Sequence, residues 1–222
     1  MRKLIVSTHI TLDGVMQAPG APEEDPSDGF TYGGWSFNYW DDMMRQITTE
    51  SMEKPFELLL GRKTYEIFAA HWPYVKNDPT ADVLNKVKKY VVSRALSEAN
   101  WSNSTLVKGD AVQEVRNLKK QKGPEIRVLG SSNLIQMLLK HGLIDEFQLW
   151  IFPVTIGKGK RLFGEGTQPA SLKLIDCKTS TSGVIIATYE PSGKIKLGSF
   201  ALDNPSEAEV KRRKRLAVEG KP

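Results

Sequence analysis

Apolar residues recur along this chain at two spacings. Short runs, often β-branched and closed by glycine, alternate with stretches where apolar positions return every three or four residues. Leu4-Ile5-Val6 with Ile10 predicts a first strand. Glu57 to Gly61, Lys89 to Ser93, Thr105 to Val107 and Glu125 to Gly130 predict further short strands. Asp41 or Asp42 opens a helix to about Met52, with Met43, Met44, Ile47 and Met52 on its apolar side. Arg62 to Ala70 predicts a short helix stopped near Pro73, and Asp82 to Lys88 another. Asp110 to Gln121 carries Val112, Val115 and Leu118 on one face and ends at Gly123-Pro124. Ser131 or Ser132 caps a helix through Leu139, with Gly142 as its stop. Strand–helix alternation of this kind implies a parallel sheet.

The later pattern is different. Asp145 to Val154 alternates Phe147, Leu149 and Ile151, and residues 170–190 read as two strands around Ser182-Gly183. No helix separates them, so they suit an antiparallel or mixed edge. The expected architecture is α/β in three layers, one domain over residues 1–190, followed by a tail at 191–222.

Two segments stand outside the regular pattern. Residues 17–38 form a long loop rich in Pro, Gly and Asp, followed by Phe30, Tyr32, Trp35, Phe37, Tyr39 and Trp40. A loop of that length is either pinned to the surface by its own aromatics or serves as a lid or pocket wall. In the tail, Asn204-Pro205-Ser206-Glu207 is a helix start, but few apolar residues follow it. A solvated helix is expected there.

Charge narrows the partners. The net charge is +5. Residues 191–222 hold eight basic and four acidic residues, so the body is nearly neutral. That body has no electrostatic reason to bind nucleic acid. The run Lys211-Arg212-Arg213-Lys214-Arg215 reads first as a solvated face and second as a nucleic-acid patch. No apolar run has membrane-spanning length, and Met1-Arg2-Lys3 before Leu4-Ile5-Val6 does not read as a signal peptide. A single cysteine, Cys177, and three scattered histidines, His9, His71 and His141, offer no disulfide framework and no metal motif. A cytoplasmic, metal-free protein is expected.

Ligands of parallel α/β sheets sit at the carboxyl ends of strands, where helix N-termini present free N–H groups. Three such corners share a composition: Gly61-Arg62-Lys63-Thr64, Ser93-Arg94 and Gly130-Ser131-Ser132-Asn133. One glycine after a strand is commonly only a turn. Three corners with hydroxyls and two arginines suit an anionic ligand carrying several phosphates.

These same residues carry a resemblance. Gly61-Arg62-Lys63-Thr64-Tyr65-Glu66 resembles the strand-to-helix motif of the dihydrofolate reductase superfamily. Val91-Val92-Ser93-Arg94 is similar to its next cofactor strand, and Thr11-Leu12-Asp13-Gly14-Val15 to its Ser-Leu-Asp-Gly turn. Val128-Leu129-Gly130-Ser131-Ser132-Asn133-Leu134 resembles the glycine-rich corner of the reductase domain of the riboflavin-biosynthesis deaminase-reductase. Gly142 to Phe147 and Pro153 to Phe163 extend the likeness, which covers about residues 3–190.

The resemblance implies a dihydrofolate reductase-like fold and an NADPH-dependent reductase of a pyrimidinone-like, pterin-like or carbonyl substrate. It implies Gly61, Arg62 and Thr64 on the pyrophosphate, with Ser93 and Arg94 on the adenosine 2′-phosphate. Gly130, Ser131, Ser132 and Leu134 would lie along the pyrophosphate and nicotinamide ribose, and Asp13, Gly14 and Val15 beside the nicotinamide. It also implies a homodimer. The chain departs from the bifunctional enzyme in lacking His-x-Glu with Pro-Cys-x-x-Cys, and so has no zinc deaminase half. Dihydrofolate reductases hold the substrate with a carboxylate at the start of the helix after the long loop. Asp41 or Asp42 lies in about that place, although an acidic helix start is also ordinary capping. His9, on the first strand, is either a core residue or a pocket residue. A reductase-like fold that keeps nucleotide without turnover is the alternative to an enzyme.

Overall fold

The computed structural model describes residues 1–219. Residues 220–222, with Lys221 of the expected tail, lie outside the described residues. Eight strands form one sheet in the order β4-β3-β2-β5-β1-β6-β8-β7. They are β1 (Leu4–Thr11), β2 (Phe56–Gly61), β3 (Lys89–Val92), β4 (Ser104–Val107), β5 (Glu125–Leu129), β6 (Glu146–Phe152), β7 (Ser171–Thr179) and β8 (Ile185–Gly193). The helices are α1 (Asp42–Glu53), α2 (Arg62–His71), α3 (Pro79–Lys86), α4 (Ala111–Lys120), α5 (Ser132–Lys140) and α6 (Glu207–Glu219).

The first six strands pair parallel, and β8 and β7 join antiparallel at one edge. Alternation along β1 separates two faces. Leu4, Val6 and Ile10 join Val115 and Leu118 of α4 and Ile135 and Leu138 of α5 in the larger core. On the opposite face Phe56, Leu58, Leu60 and Val91 pack with Tyr65 of α2 and Leu84 of α3. Met44 of α1 packs there with Trp150, Phe152 and Val184. Each such fully buried side chain contributes roughly 1.5–3 kcal/mol. The expected three-layer α/β architecture is therefore present, with α4 and α5 on one side and α1 to α3 on the other.

Two expected boundaries move and one expected cap bond is absent, each for a local reason. α3 begins at Pro79 rather than at 82, because Asp78 caps it by accepting from the Ala81 amide at 3.0 Å and Pro79 fits the first helical position. α6 begins at Glu207, and Ser206 Oγ, not Asn204, accepts from the Glu209 amide at 3.3 Å. Ser131 precedes α5 but makes no side-chain cap bond; its hydroxyl is used elsewhere. α6 has no buried residue.

Candidate functional site

Strand order decides how the expected corners meet. β3, β2, β5 and β1 are consecutive neighbours in the parallel part of the sheet. Ser93-Arg94, Gly61-Arg62, Gly130-Ser131 and the Asp13-Gly14 turn therefore lie side by side along one carboxyl edge.

Two of these corners are bonded directly. The Gly61 amide donates to Ser131 Oγ at 3.0 Å, and the Ser131 amide donates to Thr64 Oγ1 at 3.0 Å. Gly130 and Ser131 both take left-handed backbone, with φ of 57° and 62°. Serine rarely adopts that conformation, and such strain is characteristic of functional sites. The bend brings the N-terminal turns of α2 and α5 together: a Cβ on Gly61 would lie 3.6 Å from the Cβ atoms of Ser131 and Leu134, so the positive ends of two helices lie side by side. Ser132 and Leu134 lie in the first turn of α5, and Leu134 is buried. Arg62 is exposed and its guanidinium pairs with Glu66 at 2.8 Å on the surface of α2. Arg94 is exposed. Ser93 Oγ accepts from the amides of Ala95 and Leu96 at 3.1 and 3.0 Å, which turns the chain back after β3.

The turn after β1 is clasped by the loop that follows β6. Thr11 Oγ1 donates to Asp13 Oδ1 at 2.5 Å, and the Gly157 amide donates to Asp13 Oδ2 at 2.7 Å. Arg161 donates to the Asp13 carbonyl, and its guanidinium lies 3.5 Å from the carboxylate. Burial opposes ionisation of Asp13, but these hydrogen bonds outweigh it and hold the carboxyl below its usual range. The Gly14 carbonyl accepts from the Leu162 amide at 3.0 Å. The Val15 side chain is fully buried, so Val15 offers this edge only its main chain. Gly159 packs so closely here that a Cβ would lie 2.8 Å from Val15 Cγ1 and 3.0 Å from Phe30.

Residues 17–38 are pinned by buried anchors and also reach the site. Gln17 is the hub. Its side-chain amide donates to the carbonyls of Asp25 and Ser27 at 2.9 and 3.0 Å, and its Oε1 accepts from the Lys160 amide at 3.0 Å. Trp35 Nε1 donates to the Gln17 carbonyl at 2.8 Å. Asp25 then ties this loop to α2 and to the loop after β6, accepting from Lys160 Nζ at 2.5 Å and from Lys63 Nζ, in the first turn of α2, at 3.2 Å. Burial opposes ionisation of Asp25, but bonds from Lys160, Ser27 and Lys63 hold its carboxyl far below the usual range. Sequence reasoning assigned no role to Asp25, Gln17 or Lys63. Their partners are distant in the chain, and only the loop's length signalled them.

Asp41 caps α1, accepting from the Met44 amide at 2.9 Å, while its second oxygen accepts from Thr181 N and Oγ1 at 2.8 and 2.7 Å. The carboxylate thereby ties α1 to the β7–β8 turn. Those bonds hold its pKa down, the Met44 amide first. Asp42 is fully exposed, 3.6 Å from Arg45. His9 lies on the α1 side of β1, with ring centroids 5.6 Å from Trp40, 5.6 Å from Trp150 and 5.2 Å from Phe152. Burial pushes its pKa down to about 4, so the imidazole is neutral near pH 7. Among the described residues no group of three or more His, Cys, Asp or Glu side chains is placed to hold a metal ion. Nor is any helix there long and apolar enough to cross a membrane.

A family model, the RibD C-terminal domain, matches residues 2–186. The chain belongs to the RibD C-terminal domain family. Within reach of this family, the chain is 32% identical over 200 residues to the uncharacterized protein YyaP of Bacillus subtilis (strain 168), covering 86% of this chain and 96% of YyaP. Among solved structures it is similar to a putative riboflavin biosynthesis protein from Shewanella sp. PV-4, at 23% identity and a TM-score of 0.61, over 86% of this chain and 99% of that one. It is also similar to dihydrofolate reductase from Enterococcus faecalis complexed with NADP(H), at 14% identity and a TM-score of 0.52, over 86% and 96% of the two chains. The RibD C-terminal fold seen here is thus dihydrofolate reductase-like, with its parallel sheet and late antiparallel strands.

Proposed function

We propose that this RibD C-terminal family member is an NADPH-dependent reductase that passes a hydride to a small planar heterocycle, pyrimidinone-like or pterin-like, or to a carbonyl compound. The observation that carries this reading is the strand order, which aligns the corners after β3, β2, β5 and β1 on one edge. A similar fold is described in complex with NADP(H), and another as a putative riboflavin biosynthesis protein.

The donor set fits a dinucleotide phosphate. Two adjacent helix N-termini suit a pyrophosphate, with Gly61, Thr64, Gly130, Ser131, Ser132 and Leu134 allowing close approach of the backbone. Ser93 and Arg94, one strand away, suit a 2′-phosphate, and Arg62 joins them by leaving Glu66. The main chain of Asp13, Gly14 and Val15 borders the nicotinamide end. When bound, NADPH supplies the hydride, and the protein supplies position and electrostatics.

The remaining residues shape the substrate side. Half-buried Trp40 offers an aromatic face for a planar ring, and neutral His9, packed against it and against buried Trp150 and Phe152, offers one donor and one acceptor. Asp25, by bridging Lys63 and Lys160, holds residues 17–38 against the N-terminal turn of α2. We read Asp41 as the residue that positions α1 and Asp42 as a solvated helix-start charge; the substrate-binding carboxylate expected of one of them is not part of this reading. We place the activity in the cytoplasm, where a free, exposed thiol such as Cys177 persists.

The test is NADPH consumption against a panel of pterins, pyrimidinones and quinones. Turnover with any member supports the reductase. Tight NADPH binding with no turnover on the whole panel favours a nucleotide-binding module instead.

A further inference from the structure

The outer side of α2 takes no part in the proposed reductase site. A groove of about 660 Å³ runs there, between α2 and the segment 98–102 that leads into β4. The Lys89 amide, at the start of β3, donates to the Asn103 carbonyl at 2.9 Å, so this segment reaches the amino ends of the strands. Ser93-Arg94 leaves β3 at the opposite end. A volume of that size holds a small organic molecule.

The groove is built from the sequence of α2. Glu66, Ala69 and Ala70 share one face of the helix at spacings of three and four, and the two alanines leave a trough along it. Tyr65 and Trp101 are buried beneath it. The Tyr65 hydroxyl accepts from the Trp101 amide at 2.9 Å, and Trp101 Nε1 donates to Asn85 Oδ1 at 2.7 Å, which fixes both rings. Tyr74, 75% exposed, stands at the rim.

The charges are one-sided. Glu66 and Glu98 line the groove, and no lysine, arginine or histidine does. Lys89, whose ammonium lies 4.1 Å from the Trp101 ring, is fully buried and spends its three bonds on the carbonyls of Asn85, Val87 and Ser102. Among the described residues Glu98 accepts from the Asn100 side-chain amide at 2.9 Å and meets no basic group. Glu66 pairs with Arg62 at 2.8 Å.

We propose that this groove is a second ligand site, for a small organic cation: an ammonium or amidinium on a flat apolar body. The aromatic surface takes the body, and Glu66 and Glu98 take the charge. An anion is repelled there, and a neutral molecule would desolvate the carboxylates without compensation. Arg62 links the groove to the nucleotide edge. When Arg62 leaves Glu66 to meet a 2′-phosphate, as proposed for NADPH, Glu66 is free for the cation. Each ligand therefore favours the other, by the same factor. The Arg62–Glu66 pair is exposed, so that factor is about two- to fivefold. This coupling rests on the proposed cofactor; the groove does not.

The test titrates the full chain by calorimetry with tryptamine, an ammonium on a planar ring, and with tryptophol, which carries a hydroxyl in its place. Tryptamine should bind at about 1 mM or tighter, and tryptophol at least ~10-fold more weakly. Amide shifts in the NMR spectrum of isotope-labelled protein should fall on residues 65–74 and 98–102. Glu66→Gln with Glu98→Gln should keep the circular dichroism of the fold and weaken tryptamine at least ~10-fold. NADPH should tighten tryptamine about two- to fivefold, NADH should not, and Glu66→Gln alone should abolish the difference. No binding of tryptamine, equal binding of the two compounds, shifts elsewhere, or a double variant that binds as wild type would each overturn the site. Tryptamine seated in the groove of a protein that takes no NADPH would uphold the site and strike the cofactor alone.

Discussion

Ser131 and Gly61 are joined across two strand-to-helix corners: the Gly61 amide donates to Ser131 Oγ at 3.0 Å while Ser131 holds a left-handed backbone. The hydroxyl that would ordinarily cap α5 instead locks the N-terminus of α2 beside it. Replacing Ser131 with Ala leaves the Gly61 N–H without that acceptor and should cost about 1–2 kcal/mol of stability in urea unfolding. It should also weaken NADPH about tenfold, because the two helix ends are no longer held in register. Unchanged values of both would show that the bond does not organise the site.

The Asp25 clamp predicts a second effect. Asp25→Asn leaves Lys63 and Lys160 near each other without a carboxylate between them. Stability should fall by roughly 1–3 kcal/mol, and limited proteolysis should cut within residues 17–38 faster. The folded-state pKa of Asp25 is depressed, so its contribution is present above about pH 4 and fades as pH falls toward the folded value. The gap between wild type and variant should therefore narrow in acid. A constant gap would mean the carboxylate's charge is immaterial.

His9 predicts a loss of stability in acid that sets in at higher pH. Its folded pKa is about 4 and its unfolded value about 6.5. Between these values the unfolded chain binds the proton first, so stability is full above about pH 6.5 and declines until about pH 4. The loss attributable to His9 reaches about 3 kcal/mol. His9→Phe keeps the aromatic packing and removes the titration. Compared by urea midpoints at about pH 7.5 and about pH 5, the variant should gain on wild type in acid. Parallel midpoints at both would place the imidazole in water rather than among Trp40, Trp150 and Phe152.

Much of this was legible from residue order. Strand-ending glycines, β-branched runs and three-to-four-residue periodicity located every strand and helix of the main body, with α3 starting three residues early because Asp78-Pro79 forms its cap. Segments at Thr11–Val15 and Pro153–Phe163, each matched separately, prove to clasp one another through Asp13, Gly157 and Arg161. What could not be read was partnership at long range. Ser131 looks like an N-cap locally, and its true partner is 70 positions away. Asp41 looks like a free acid at a helix start until Thr181 of the hairpin is seen to bond it. Asp25 and Lys63 are unremarkable surface residues until the loop folds across α2.

Asp41 gives a fourth prediction. Asp41→Asn loses a charged cap and weakens the tie to Thr181, so the thermal midpoint should fall. Because that carboxylate positions α1 rather than meeting substrate, the KM for any accepted substrate should change less than twofold. A large rise in KM with unchanged stability would restore the substrate-binding role.

The most direct test of the central claim is a titration of NADPH and NADH against wild type and Arg94→Ala. The wild type should prefer NADPH by about 10–150-fold, the value of an arginine–phosphate pair of about 1.5–3 kcal/mol. Arg94→Ala should lose most of that preference while binding NADH as before. A wild type that binds neither nucleotide, or binds both equally, would contradict the account.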